Sequence, residues 1–405
     1  MAQVVQYKYI LKNISWIYNG VETPIIPESV KTIIFNYDYD NANRPIIYIN
    51  INIKSSLYNK MRLYKDYSKI LLVLYKYNIK EENAAKIVDI KGQFDYIIPN
   101  SDKDYTEDLT KQSDTEEESY RSIVIGLIQS ESLRNNNSPV SSIWFKKIDK
   151  AELLLYGLPE NKKICIETFQ NNEKYDVILV PPMKRVSEYI KYINDYAGDI
   201  YDGGYRFFDD FDMLYVLSQN GNYVPNGSTD YSTVIVDIKS LLDDVAINNG
   251  MVKDSSTESY LIYVDGSDIS FNDNEGLHSM DINNYTLVNN DGSVTYVNVN
   301  SDNTIARYNG SDYKRTFDNE AHTGSSTKSD VERYNTVLTF SKAQIDPSLI
   351  TPNKEYQLHC YKEYSKYDGK YILSRKQVNL VIENGEYIPT TSVTLRKIVN
   401  KPKRV

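Results

Sequence analysis

Histidine, cysteine and excess positive charge are all scarce in this 405-residue chain, and each shortage removes a class of chemistry. The three histidines, His278, His322 and His359, show no HxH, HExxH or His/Cys ligand spacing. His359 and Cys360 are adjacent, but they fall in a predicted strand, where neighbouring side chains face opposite ways. No zinc site follows, and no metal or cofactor is assigned. The two cysteines, Cys165 and Cys360, are too few to hold a chain of this length together, so a reduced or redox-indifferent protein is expected. Cys360 reads as a buried structural thiol rather than a nucleophile, since no local context activates it. GxSxG, P-loop and GxGxxG motifs are all missing, and together their absence argues against most hydrolases, kinases and dehydrogenases. A formal net charge of −9 argues against a general nucleic-acid binder, which needs a basic face to release counterions from phosphates. No apolar run approaches the roughly eighteen residues of a spanning helix. The start, MAQVVQYKYILKN, has neither a basic n-region nor an uninterrupted apolar h-region, so no secretory signal is expected.

The chain is long enough to bury two or three ordinary cores. Its thirty-seven tyrosines against ten phenylalanines, with many Asn, Ile and Lys residues, point to an A/T-biased coding sequence. That bias weakens any reading of tyrosine clusters as ligand-stacking sites, although tyrosine also suits strands and interfaces. The first hundred residues predict strands at Val4 to Leu11, Ser15 to Tyr18, Thr32 to Tyr39, Pro45 to Ile53, Lys69 to Tyr77 and Phe94 to Ile98. In the IIYININ run, Ile47, Ile49, Ile51 and Ile53 share one face. A serine-capped short helix is expected over Lys54 to Met61. Asp102 to Glu118 holds eight acidic residues against Lys103 and Lys111 and reads as a mobile excursion. Tyr120 to Ile128 is a further strand, and AELLLYGL a short helix. Ser232 to Ile238, a hairpin at Tyr285 to Val288 and Ser293 to Val299, and strands at Asn335 to Phe340, Glu355 to Tyr361, Gly369 to Leu373 and Val378 to Ile382 complete the series.

Leu179 to Ser218 holds the clearest local signals. Val186, Tyr189, Ile190, Ile193, Tyr196 and Ala197 recur at helical spacing after Pro181-Pro182, and Gly198 ends the run. Gly203-Gly204 then permit a turn into YRFFDDFDMLYVLS, which reads as one long strand. Its aspartates, Asp209, Asp210 and Asp212, invite the two-carboxylate chemistry of a glycosidase or a divalent cation. On a single strand, however, Asp210 and Asp212 share a face and Asp209 points away, which favours an exposed strand edge or a subunit contact with solvated carboxylates. No residue is therefore assigned a catalytic role. The C-terminus TLRKIVNKPKRV, with Arg396, Lys397, Lys401, Lys403 and Arg404, reads as a solvated basic tail or a patch for an acidic neighbour.

Three stretches carry a resemblance: WIYNGVETPIIPESVKTIIFNYDYDNANRPIIYININIKSSLYNKM, VPPMKRVSEYIKYINDYAGDIYDGGYRFFDDFDMLYVLS and DPSLITPNKEYQLHCYKEYSKYDGKYILSRKQ. Together they resemble the central hub protein of baseplates in contractile tails of low-GC Gram-positive phages and related tail-like bacteriocins. The resemblance implies a mainly β fold with minor α: two tube-protein-like β-barrels built from discontinuous segments, plus smaller inserted domains. The expected division is a first barrel at 1–100, an acidic flexible loop at 101–119 and an α+β segment at 120–240 with its helix-turn-strand at 184–218. A polar hairpin and loop insertion at 241–334 follows, and strands completing a barrel at 335–405 end in the basic tail. It further implies a non-enzymatic homotrimer in the virion or tail-like particle, assembled in the host cytoplasm. Its partners would be the tail tube protein, the central spike and wedge proteins, with no membrane, and DNA only in passage through the lumen. The rival readings are a peripheral baseplate or host-glycan-binding component and a cell-wall glycosidase.

Overall fold

The computed structural model describes residues 3–4, 7–40, 44–79, 85–98, 120–158, 162–169, 172, 174–196, 200–201, 205–211, 213–218, 234–239, 251–254, 259–273, 284–288, 294–299, 305–307, 336–343 and 345–397. The chain begins with strands β1 (Gln3–Val4), β2 (Tyr7–Tyr18), β3 (Val21–Pro24), β4 (Val30–Asp38) and β5 (Ile46–Lys54). Helix α1 (Ser55–Leu63), β6 (Ser68–Asn78), β7 (Ile87–Ile97) and β8 (Tyr120–Gln129) follow. An inserted unit holds α2 (Ser130–Asn137), β9 (Ile143–Asp149), α3 (Lys150–Tyr156), β10 (Lys163–Ile166), β11 (Lys174–Val180), α4 (Val186–Tyr196), β12 (Tyr205–Asp209) and β13 (Met213–Ser218). Then come β14 (Val234–Lys239), β15 (Met251–Asp254), β16 (Ser259–Asp265) and β17 (Ile269–Asp273). The remainder is β18 (Asn284–Val288), β19 (Val294–Val299), β20 (Ile305–Arg307), β21 (Thr336–Ala343), β22 (Tyr356–Cys360), β23 (Gly369–Glu383) and β24 (Glu386–Lys397).

Hydrogen-bonded neighbours close a ring in the order β23-β4-β5-β8-β7-β6-β2-β24 and back to β23, an antiparallel barrel of eight strands. Its strands alternate as the sequence predicts: Ile47, Ile49, Ile51 and Ile53 are all at most 3% exposed and line the barrel core with Ile70, Leu72, Phe94 and Leu127. Burying each such side chain is worth about 1.5–3 kcal/mol relative to leaving it in water. A second β body wraps another core, which includes Val236, Ile262, Leu338, Leu358, Tyr371 and Leu395. Its ladder runs β1-β15-β16-β14-β22-β23 and continues through β24-β21-β17, with β14 parallel to both β16 and β22. The fold is therefore mainly β, drawn from segments far apart in sequence, with smaller insertions.

The β23–β24 hairpin belongs to both bodies. Leu373 and Tyr371 point into the second core, whereas Val378 and Leu380 point into the first. Odd and even positions exchange faces because the pairing of β23 with β24 skips Ser374, a one-residue bulge between Leu373 and Arg375. The hairpin closes at Asn384-Gly385, whose φ values of 53° and 83° are those of a tight I′-type turn. The runs at Gly369 to Leu373 and Val378 to Ile382 are thus one strand. Val4 to Leu11 and Ser15 to Tyr18 are likewise joined, as a bulge between Leu11 and Asn13 keeps β2 continuous from Tyr7.

The inserted unit has its own core. Val186, Tyr189, Ile190 and Ile193 are buried on one face of α4 against Leu153, Leu154, Leu214 and Val216. Tyr189 lies so close to Gly157 that a Cβ there would collide with its ring. Two local expectations change. YRFFDDFDMLYVLS is a hairpin, β12 against β13 with Tyr205 opposite Ser218 and Asp209 opposite Leu214, rather than one strand. The Asp210 carboxylate accepts the Phe211 N–H, and local capping of this kind lets aspartate compete with an extended backbone. Helix α1 has no side-chain cap; Ser55 lies inside it, accepting a hydrogen bond from Arg121 Nε at 3.3 Å. No helix among the described residues is long and apolar enough to cross a membrane. The acidic stretch 102–118, Gly198, Gly203 and Gly204 lie outside the described residues.

Deleting Ser374 should turn one set of core residues on β23 to the wrong face, and we expect no cooperative urea transition by circular dichroism. Ser374→Ala keeps the register and should cost only about 1–3 kcal/mol. A deletion variant that unfolds at the wild-type midpoint would contradict this account of the bulge.

Candidate functional site

Several buried charged side chains meet between the first barrel, the shared hairpin and the inserted unit. Asp40, just beyond β4, accepts hydrogen bonds from Arg396 Nη2 at 2.5 Å and from the hydroxyl of Ser374. Arg206 of β12 lies 3.8 Å from the same carboxylate and donates to the Leu373 carbonyl at 2.8 Å. The three charged side chains are at most 4% exposed. One carboxylate therefore ties the first barrel (Asp40), the shared hairpin (Arg396, Ser374) and the inserted unit (Arg206) together.

This placement corrects the reading of the C-terminus as a solvated tail. Arg396 and Lys397 end β24, and Arg396 is fully buried. The alternation of Tyr387, Val393 and Leu395 was the available signal for that strand, and the cations after it in the sequence masked it. Lys401, Lys403 and Arg404 lie outside the described residues.

Glu167 lies within electrostatic reach of Arg206. It is 1% exposed, and its carboxylate accepts the Ser218 N–H at 2.6 Å while its carbonyl accepts the Tyr201 hydroxyl at 2.6 Å. Burial outweighs the Ser218 N–H and Arg206, and pushes the Glu167 carboxyl up to about 7. Asp209 is buried too, paired with Lys162, which also reaches Ser132 Oγ at 3.1 Å. Burial raises its carboxyl above the usual range against the pull of Lys162.

A second group of charges lies around a cavity of about 200 Å³. Tyr9, Tyr37, Asp89, Asp210 and Lys376 contribute to its wall. Lys376, inward-facing because of the bulge, donates to the carbonyls of Pro347 and Ile350 at 3.0 and 2.9 Å, and its ammonium stands 4.3 Å from the Tyr37 ring centroid. Burial lowers its amine below the usual lysine value, opposed by Asp210, Asp89 and Asp346. Lys76 of β6 reaches Ser348 Oγ at 2.7 Å and lies 3.7 Å from both Asp89 and Asp346. These contacts clamp the 345–350 segment onto the first barrel.

The sequence-derived candidates separate. Asp209 is buried against a lysine, whereas Asp210 sits in the hairpin turn with its N–H donating to Met213 at 2.7 Å. The two do not flank an open cleft together, and the expected solvated strand edge is corrected: the turn and the Lys162 pair take its place. Asp212, His278 and His322 lie outside the described residues. His359 is exposed on β22; Cys360 beside it is partly buried, and burial with Asp368 pushes its thiol up to about 12, which leaves it a poor nucleophile. The two cysteines are not joined in a disulfide, and among the described residues no group of three metal-ligating side chains is present. The site can bind parts of the chain to one another; its buried charges cost several kcal/mol each unless their partners stay in place.

A model of the family described as Bacteriophage PBS1 gene 109 protein matches residues 2–398. No curated protein matches the sequence. Among solved structures, the tail protein from Neisseria meningitidis MC58 is similar with a TM-score of 0.50 at 11% identity, over 96% of this chain and 96% of that one. The 43 kDa tail protein of prophage MuSo2 from Shewanella oneidensis is similar with a TM-score of 0.47 at 9% identity, over 95% and 96%.

Asp40→Asn should cost about 3–5 kcal/mol in urea denaturation, since it removes the buried carboxylate that Arg396 and Arg206 share. Adding Arg396→Met should cost less than the sum of the single changes, and strict additivity would contradict the coupling. Glu167 supplies a pH test. Its folded carboxyl is raised from 4.5 to about 7, so its contribution is complete below pH 4.5 and is lost as pH rises through 7. That loss is on the order of 3 kcal/mol. Glu167→Gln should flatten the difference in unfolding midpoint across this window, and an unchanged slope would refute the assignment.

Proposed function

The chain belongs to the Bacteriophage PBS1 gene 109 protein family, and from that premise we propose that it is a structural, non-enzymatic hub of a contractile tail baseplate. Three copies form a ring around a channel, joining the sixfold tail tube on one side to the threefold central spike on the other. The observation that carries this reading is the β23–β24 hairpin, which serves two β cores in one chain. Three chains then offer six β bodies, a number that meets a sixfold tube while retaining threefold symmetry for a spike. The fold shared with the Neisseria tail protein supports a place in the tail. The partners are the tube, spike and wedge proteins, and the particle itself is the location.

The chemistry of the junction agrees with a load-carrying part. Asp40, Arg206, Arg396 and Lys376 are spent on one another and on backbone carbonyls, which favours a fixed geometry over turnover. The net charge of −9 suits a channel through which DNA slides without adhering.

Purified chain should elute as a trimer by size-exclusion chromatography with light scattering, and should co-assemble with the tube and spike proteins encoded alongside it. A compact monomer that binds neither partner would overturn the hub reading.

A further inference from the structure

Lys162 and Asp209 form a lysine–carboxylate pair that water hardly reaches. The Lys162 ammonium donates to Asp209 Oδ1, and the two side chains are 6% and 2% exposed. In the Lys8–Glu386 and Lys370–Glu355 pairs, by contrast, every side chain is at least 29% exposed. The sheet order β10-β13-β12 brings the two groups together. Lys162 precedes β10, whose Lys163 stands opposite Met213, and Asp209 ends β12 opposite Leu214, so both arrive at the same end of β13. Helix α2 covers the site. Ser132, 1% exposed, accepts from Lys162 Nζ at 3.1 Å and hydrogen-bonds the Asp209 carboxylate. Glu131 beside it in sequence and Arg44 both lie within electrostatic reach of Asp209.

Two charges withdrawn from water must be offset by their surroundings, and a neutral product removes that requirement. An ammonium and a carboxylate in contact hold the atoms of one amide and one water. A proton passes from Nζ to the carboxylate, which leaves an amine lone pair facing Cγ. That pair forms the Nζ–Cγ bond, and the Arg44 cation stabilises the oxygen anion of the tetrahedral intermediate. The Cγ–O bond to the protonated oxygen then breaks, and a second Nζ proton leaves with that oxygen as water. The balance needs no oxidant, reductant or co-reactant. Glu131 is the second carboxylate in reach, suited to carry these protons. Held groups of this kind can reach effective concentrations of about 10⁵–10⁸ M, and burial keeps out the water that would hydrolyse the product.

We propose that Lys162 and Asp209 join in a self-formed isopeptide bond, with Glu131 as its proton carrier. The bond closes a covalent loop over residues 162–209 and fixes β12, the strand that carries Arg206 to Asp40. It is independent of the hub reading.

The test is mass spectrometry of the purified full-length chain, intact and after tryptic digestion. The wild-type chain should be one water lighter than its sequence requires, and digestion should yield a branched peptide joining the Lys162 and Asp209 segments. Lys162→Arg keeps a cation at the site but no nucleophilic amine, and it should restore the lost water and give linear peptides alone. Glu131→Gln leaves the pair in place, and the yield of branched peptide should fall on the order of tenfold or more. Wild-type chain of unmodified mass, with linear peptides only, overturns the proposal. So does a lost water carried in a linear peptide, which would place the dehydration elsewhere in the chain. Full linkage in folded Glu131→Gln overturns the role given to Glu131.

Discussion

A carboxylate removed from water must recover its lost solvation from cations and hydrogen-bond donors, and Asp40 does so with groups brought from three parts of the chain. Arg396 and Ser374 come from the shared hairpin and Arg206 from the inserted unit. Each charge is tolerated only while the others remain, since an unpaired ion of this kind costs several kcal/mol. The arrangement therefore selects one relative placement of barrel, hairpin and insertion. The bulge at Ser374 performs two tasks at that point: it exchanges the inward face of β23 between cores and presents its hydroxyl to Asp40.

The clamp around Lys376 and Lys76 extends the same logic. Lys376 can reach the Pro347 and Ile350 carbonyls only because the bulge turns even-numbered residues inward. A closed ring of eight strands leaves the first barrel without free edges, while the second ladder ends at β1 and β17 among the described residues. The buried charge pairs thus couple two unlike bodies into one arrangement.

The legible part of the fold was local. Alternation placed Ile47, Ile49, Ile51 and Ile53 on a buried face, and helical spacing placed Val186, Tyr189, Ile190 and Ile193 on another. What stayed hidden depended on bulges and on partners distant in sequence. Ser374 has no signature that distinguishes a bulge from a break, so one strand looked like two. The aspartates after Phe208 were read through as strand because their turn-forming hydrogen bond is visible only in three dimensions. Arg396 looked like part of a basic tail, since its partner Asp40 is 356 positions away. Glu167 carried no motif at all; its raised carboxyl follows from burial alone in a fold that had to be known first.

Joining two β bodies in one chain makes sense as an adaptor if three chains enclose a channel. Electron microscopy of the purified oligomer measures that arrangement directly. The account predicts a threefold ring of six β bodies around an open centre. A twofold dimer, or a closed particle with no central channel, would contradict it.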